Sequence, residues 1–203
     1  ILVSQDSGVY GKDLKTKTDL IFLLEKISSL KFDFIIRVMY TSPDTVTKKY
    51  IQYIYKNPKI CNYIDMPIQH TETEILKKMF RPLNKEKIIE IIEYIKNNFP
   101  EISIRTTIMV GYLGETPKIF SAMLQTLKYL EFENLGVFKY SDEEDVYSYN
   151  LPDKISDSVK ENRFHKIMSQ QLKISKKLKK KYVGKILKST VEGYDSEKKY
   201  FIG

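Results

Sequence analysis

The stretch Glu101–Thr116, EISIRTTIMVGYLGET, constrains this chain more than any other. Ile102 to Val110 is dense in β-branched and apolar residues, the composition of a buried strand, and Pro100 closes the element before it. Gly111 and Gly114 break the run. Thr116 is a good N-cap and Pro117 suits the first helical position. An apolar stripe then recurs at helical spacing through Ile119, Phe120, Met123, Leu124, Leu127 and Leu130. Strand, glycine turn and helix in that order describe a βα unit. In α/β folds such turns lie at the carboxyl end of the sheet, where ligands bind. The turn also offers amide N–H groups and a positive helix end to an anionic or polar ligand. Every parallel α/β domain contains such turns, so this one alone leaves a binding role at even odds.

The rest of the chain repeats the pattern. Ile1–Ser4 reads as a strand end, followed by the polar turn Gln5–Gly8 and a helix from about Thr18 that carries Leu20, Leu23, Leu24 and Ile27 on one face. Phe32–Tyr40 reads as a second strand, with Asp44 as the cap of a helix running to Lys56. Tyr63–Gln69 is a third strand, followed by a short helix through Ile75, Leu76 and Met79 and a longer one over Lys85–Asn98. After the opening unit, Leu135–Tyr140 is the last strand of the series. Alternation of strands and helices implies parallel βαβ units wound by right-handed crossovers into a barrel or an open sheet. The turns Gln5–Gly8, Gln69–Thr71, Gly111–Glu115 and Ser141–Glu144 then gather at one rim. Past them come a long basic helix over Ser156–Tyr182, Gly184, a strand over Lys185–Tyr194 and a partner strand from Lys199. Three regions follow: a βα body over 1–155, a connecting helix over 156–183 and the start of a small β-module over 184–203. The chain opens on Ile1 without Met and stops at Gly203 inside that hairpin, so a piece of a longer protein is expected.

Charge is uneven. The net charge is +8, but residues 160–188 hold eleven Lys or Arg against Glu161, or +10, and the remainder sums to −2. Either an acidic or RNA-rich partner or a merely solvated lysine face accounts for this equally well. Of the 34 basic residues only Arg37, Arg81, Arg105 and Arg163 are arginine, which marks them as places needing a planar, bidentate donor. Cys61 is the only cysteine, and His70 and His165 the only histidines, so neither a disulfide framework nor a zinc motif lies within these residues. No apolar run approaches the roughly 18 residues of a membrane span, and a cytoplasmic monomer is the expectation.

Charged residues inside strands need partners. By the two-residue period of a strand Arg105, Thr107 and Met109 share one face, as do Tyr63, Asp65, Pro67 and Gln69. A lumen lined by Arg37, Asp65, Gln69, Arg105 and Thr107 would hold a zwitterionic, hydrogen-bonding ligand. The competing reading, an Arg–Asp ion pair that only supports the sheet, weighs slightly less. Asp6, Asp65, Asp142, Glu143 and Glu144 could supply paired carboxylates, but no spacing selects a pair.

Four segments taken together, QDSGVYG from Gln5, YIDMPIQH from Tyr63, RTTIMVGYLGET from Arg105 and GVFKYS from Gly136, resemble the radical S-adenosylmethionine methylthiotransferases. The resemblance covers nearly the whole chain and is nearest to the branch that modifies an aspartate of small-subunit ribosomal protein S twelve (uS12). Asp6, Gln69-His70-Thr71 and the acidic Asp142-Glu143-Glu144 separate it from the tRNA-modifying branch, which is the runner-up. It implies a partial radical-enzyme (βα) barrel lacking its first strand, then the truncated start of a TRAM module. The cofactors it implies are S-adenosylmethionine and two 4Fe–4S clusters whose cysteines would precede Ile1, so no metal ligand is assigned here and the piece alone is expected to be inactive. It places the cofactor near Arg37, Gln69, Arg105, Thr107, Val110, Gly111, Phe138 and Tyr140, and the substrate side near Asp6 and Glu144. The implied partners are ribosomal protein uS12 and, through the basic helix and TRAM module, the ribosome or RNA. Leu113 stands where this family usually has proline, and Asp145-Val146 where it has Gly-Thr. A cofactor-free RNA-binding module is the alternative from another class, and a carbohydrate-active barrel a distant third.

Overall fold

The computed structural model describes residues 1–16, 18–143, 149 and 152–202. Its regular elements are α1 (Leu20–Ser28), α2 (Lys48–Lys56), β1 (Tyr63–Asp65), α3 (Thr73–Lys78), α4 (Lys85–Asn98), β2 (Ser103–Val110), α5 (Pro117–Leu130), β3 (Asn134–Lys139), α6 (Asp157–Lys179), β4 (Gly193–Asp195) and β5 (Tyr200–Ile202). β1, β2 and β3 form a parallel sheet in that order. Tyr63 stands opposite Ser103, and the ladder between β2 and β3 runs from Arg105–Asn134 to Val110–Lys139.

Single parallel bridges extend the sheet outward, Ile36 to Ile60 and Leu2 to Val38. Five parallel segments therefore lie side by side in chain order, with helices between them, which is the α/β winding that the sequence implies. The first two are shorter than their patterns predict. On one flank Leu2 exchanges bonds with Arg37 and Met39 alone. On the other, the Tyr63 N–H turns back to the Cys61 carbonyl at 2.7 Å and interrupts the ladder. Phe32–Tyr40 thus makes a narrow contact rather than a strand, and Phe32 and Ile35 stay exposed. Lys185–Tyr194 falls short too. Only Gly193–Asp195 pairs with β5, and among the described residues no strand flanks 185–191.

Helix starts follow local chemistry closely. Asp19 accepts from the Phe22 N–H, Asn84 from Lys87 and Thr116 from Ile119, each the hydrogen bond of an N-cap. Asp44 does not cap α2. It accepts from the Ser42 hydroxyl inside a turn, and Thr47 caps the helix instead. At the far end of α5, Glu131 turns left-handed at φ 46°, and the Lys96 ammonium reaches the carbonyls of Leu130 and Glu131 at 2.5 and 2.6 Å. Burial holds that charge below the ordinary lysine range, opposed by Glu133 and Glu131. The core sits between the sheet and the helices: Ile64, Ile104, Ile108 and Val110 meet Ile92 and Ile95 of α4, Met123 and Leu127 of α5, and Ile167 of α6. Each such side chain contributes roughly 1.5–3 kcal/mol by leaving water.

One irregularity shapes the site. Asp65 pairs with Arg105, but Gln69 bridges Ile108, so the third segment spends one residue more than β2 over the same distance. Such a bulge is expected where Pro67 lacks an N–H. The buried Thr106 hydroxyl fills the gap, donating to the Met66 carbonyl at 2.8 Å and accepting from the Ile68 N–H at 3.3 Å. Thr106→Val keeps the shape and orphans both backbone groups. It should lower stability by about 1–3 kcal/mol, read as the shift of a urea unfolding curve.

Candidate functional site

At the carboxyl ends of the parallel segments lies a cavity of about 330 Å³. Gln5 and Asp6 line it from the first rim turn, Tyr40 and Ser42 from the second segment, and Pro67 and Gln69 from the third. Arg81 enters from the loop after α3; Arg105, Thr107 and Met109 enter from β2 and Phe138 from β3. The alternation of β2 supplies this directly, since Ile104, Thr106, Ile108 and Val110 face the core and their neighbours face the cavity. Tyr40 at φ 55° and Gln69 at φ 66° are left-handed without being glycine, and both sit on the rim. Such conformations cost of order 1–3 kcal/mol each and collect at functional sites.

The cavity is cationic and hydrogen-bonding. Asp65 is buried beneath it, its Oδ1 4.0 Å from Arg105 Nε and its Oδ2 accepting from the Tyr40 N–H at 3.2 Å. Burial works against the Arg105 charge, but a hydrogen bond to Tyr63 and the charge of Asp65 outweigh it and hold the guanidinium above its ordinary range. The ion pair is therefore real, yet 40% of the Arg105 side chain remains exposed for a ligand. Arg81 has no carboxylate within ion-pair distance among the described residues. Asp6, the one acid in the lining, is held by backbone amides of two segments: Oδ1 accepts from the Gly8 and Ser42 N–H groups at 2.9 and 3.2 Å.

Gln69, Arg105, Thr107 and Phe138 line this one cavity, and Asp6, expected on the substrate side, lines it too. The other candidates lie elsewhere. Arg37 is exposed and stacks over the Tyr63 ring at 5.3 Å, outside the lining. The Val110 side chain is in the core. Tyr140 is buried edge-to-face against Tyr112, with Lys160 over its ring. Glu144, like Asp145-Val146, lies outside the described residues. The Gly111 N–H does not face outward. It donates to Glu115 Oε2 at 2.8 Å. With φ at 78° and Lys160 Cγ only 2.3 Å from where a Cβ would stand, position 111 accepts glycine alone.

Behind the turn stands a buried cluster that no local pattern reveals. Arg163 of α6 lies 2.9 Å from Glu115 Oε1, as a close ion pair off the direct hydrogen-bond axis. His70 Nε2 lies 3.8 Å from Glu115 Oε2, while its Nδ1 accepts from the Glu72 N–H at 3.0 Å. That bond fixes the neutral tautomer with Nε2–H toward the carboxylate. Burial raises Glu115 to about 7 against the pull of Arg163 and the Gly111 N–H. Burial and then Arg163 lower His70 to about 3. The scarcity of arginine singled out Arg81 and Arg163 in the sequence; Glu115 and His70 carried no such signal.

Residues 7–127 match the model of the Radical SAM superfamily, and the chain belongs to that superfamily. Among curated relatives it is 43% identical over 199 residues to the ribosomal protein uS12 methylthiotransferase RimO of Protochlamydia amoebophila, covering 97% of this chain and 42% of that protein. The RimO of Clostridium acetobutylicum is 42% identical over 197 residues, at 97% and 44% coverage. The chain therefore spans less than half the length of these relatives. Among solved structures, coproporphyrinogen III oxidase (HemN) of Escherichia coli, a Radical SAM enzyme, superposes with a TM-score of 0.61 at 17% identity, over 76% of this chain and 36% of that one. That likeness establishes the fold. No described helix is long and apolar enough to cross a membrane.

The lining fits an S-adenosylmethionine-like ligand, with guanidinium groups for a carboxylate and Gln69 and Thr107 for hydroxyls. An iron–sulfur cluster does not fit the residues present: among those described no three His, Cys, Asp or Glu converge, and Cys61 is a lone thiol.

The two buried groups oppose each other in pH. A raised carboxyl binds its proton in the folded state from about pH 4.5 to 7 and loses stability as pH rises through that window. A lowered imidazole loses stability as pH falls from about 6.5 toward 3. Between about 4.5 and 6.5 the effects cancel. His70→Gln should uncover the first, so that stability falls with rising pH by up to about 1.4 kcal/mol per unit there. Glu115→Gln should uncover the second, with the opposite slope. Urea midpoints measured from pH 4 to 8 check both.

Proposed function

We propose that this chain forms the cofactor-binding part of a radical S-adenosylmethionine methylthiotransferase, and that the longer enzyme modifies an aspartate of ribosomal protein uS12. The observation that carries this reading is the convergence of Gln69, Arg81, Arg105 and Thr107 on one cavity, in a member of the Radical SAM superfamily that resembles RimO over nearly all its length. Arg81 and Arg105 receive the methionyl carboxylate. Gln69 and Thr107 hydrogen-bond the ribose, and Phe138 and Met109 cover the apolar faces. S-adenosylmethionine held there would supply the adenosyl group for hydrogen abstraction, given one electron from a cluster of the longer enzyme, and a second molecule would supply the methyl group. The rim residues orient it and keep water out, which is the protein's share of such chemistry. The cysteines for two 4Fe–4S clusters belong to the part of the longer protein before residue 1, so this piece by itself has no turnover. Residues 184–203 begin a TRAM module in this reading.

The longer enzyme, with its clusters reconstituted, should add a methylthio group to uS12 and not to tRNA, read by mass spectrometry. Transfer to tRNA alone would overturn the choice of substrate. Within the cavity, Arg105→Ala and Arg81→Ala should each weaken S-adenosylmethionine binding about tenfold or more, since a hydrogen bond to a charged group contributes about 1.5–3 kcal/mol. Arg37→Ala, outside the lining, should change it less than threefold, as read by isothermal titration.

A further inference from the structure

A groove of about 990 Å³ is formed by the end of α5 and the outer face of α6. It shares no residue with the cavity, which opens on the other face of the sheet. Lys166 and Lys173 stand along one side, two helical turns or about 10 Å apart. Lys128 of α5 stands across from them.

Both acids of the groove are already neutralised. Glu131 meets Lys177 at 2.6 Å, and Glu161 meets Lys139 at 2.6 Å and His165 at 2.9 Å. Lys128, Lys166 and Lys173 have no carboxylate within ion-pair distance among the described residues, and all three are exposed. The groove thus presents three uncommitted cations, Lys128 on one side and Lys166 and Lys173 on the other. Between them Ser158, Asn162 and Ser169 offer hydroxyl and amide donors.

We infer that this groove docks the phosphate backbone of RNA. Lysine, serine and asparagine are the residues that contact phosphate and sugar oxygens. A protein partner would favour a different surface, since protein–protein interfaces are enriched in Tyr, Trp, Phe and Arg and depleted in Lys. No Tyr, Trp, Phe or Arg lines the groove. The one ring in the lining, His165, is held by Glu161 at 2.9 Å, so recognition is of charge and spacing and does not read sequence. The inference stands apart from the reading of the cavity, because it requires neither cofactor nor cluster.

Fluorescence anisotropy of a labelled RNA hairpin of arbitrary sequence, titrated with the 203-residue chain across salt concentrations, tests it. The triple variant Lys128→Ala, Lys166→Ala, Lys173→Ala should raise the Kd about tenfold at 0.1 M salt and reduce the slope of log K against log salt by about 2 to 3. A control that removes three exposed lysines elsewhere, Lys49→Ala, Lys56→Ala, Lys77→Ala, should leave both nearly unchanged. Equal losses in the two triples would show bulk attraction and overturn the assignment. Displacement of the hairpin by polyglutamate at equal charge would point to an acidic protein instead, and absence of measurable binding at low salt would also overturn it.

Discussion

The Glu115 carboxylate is the interaction on which this structure turns. Removing a carboxylate from water is costly unless its oxygens find donors. Here one oxygen takes the Gly111 N–H and the other the Arg163 guanidinium, with His70 beside them. Those contacts tie together the glycine turn after β2, the rim after the third segment and α6. Each needs the others: Arg163 would be an unpaired buried cation without Glu115, and Glu115 an unpaired anion without Arg163. Lys160, one turn earlier on α6, then lies across Gly111 and closes the turn from outside. The basic helix is therefore anchored to the sheet by a buried charge pair, supported by Gln171 and Ser175 on the Phe132 and Glu133 carbonyls.

With the turn fixed from behind, the cavity side is free to be polar. The bulge at Pro67 shifts the register by one residue, and the left-handed backbone of Gln69 returns its side chain to the cavity. Asp65, buried below, orients Arg105 and holds the strained Tyr40 N–H. The site thus rests on a mix of regular alternation in β2 and irregular backbone on either side of it, and Thr106 pays for the irregularity in hydrogen bonds.

Much of this is legible residue by residue. Thr116 and Pro117 specify the start of α5 because capping is a contact between near neighbours. Arg105 and Thr107 share a face because a strand repeats every two residues. The use of four arginines among so many lysines singles out Arg81 and Arg163 as unusual, though not what they meet. Other features are invisible along the chain. Asp44 and Thr47 are both competent caps, and the choice between them depends on Ser42 drawing Asp44 into a turn. Phe32–Tyr40 has a strand's composition, but a strand requires partners on its edges, and those are short.

By itself, then, the sequence determined the βα alternation, the starts of α1, α4 and α5, the cavity face of β2 and the concentration of positive charge after residue 159. All of these follow from interactions within a few residues or from composition. Only the tertiary structure decided that the Gly111 amide points inward to Glu115, that Arg81 joins Arg105 while Arg37 does not, and that the groove's acids are consumed by Lys177, Lys139 and His165. Each of those outcomes depends on which groups from distant parts of the chain are brought within reach of a charge, and that is settled by the packed fold and not by the local chain.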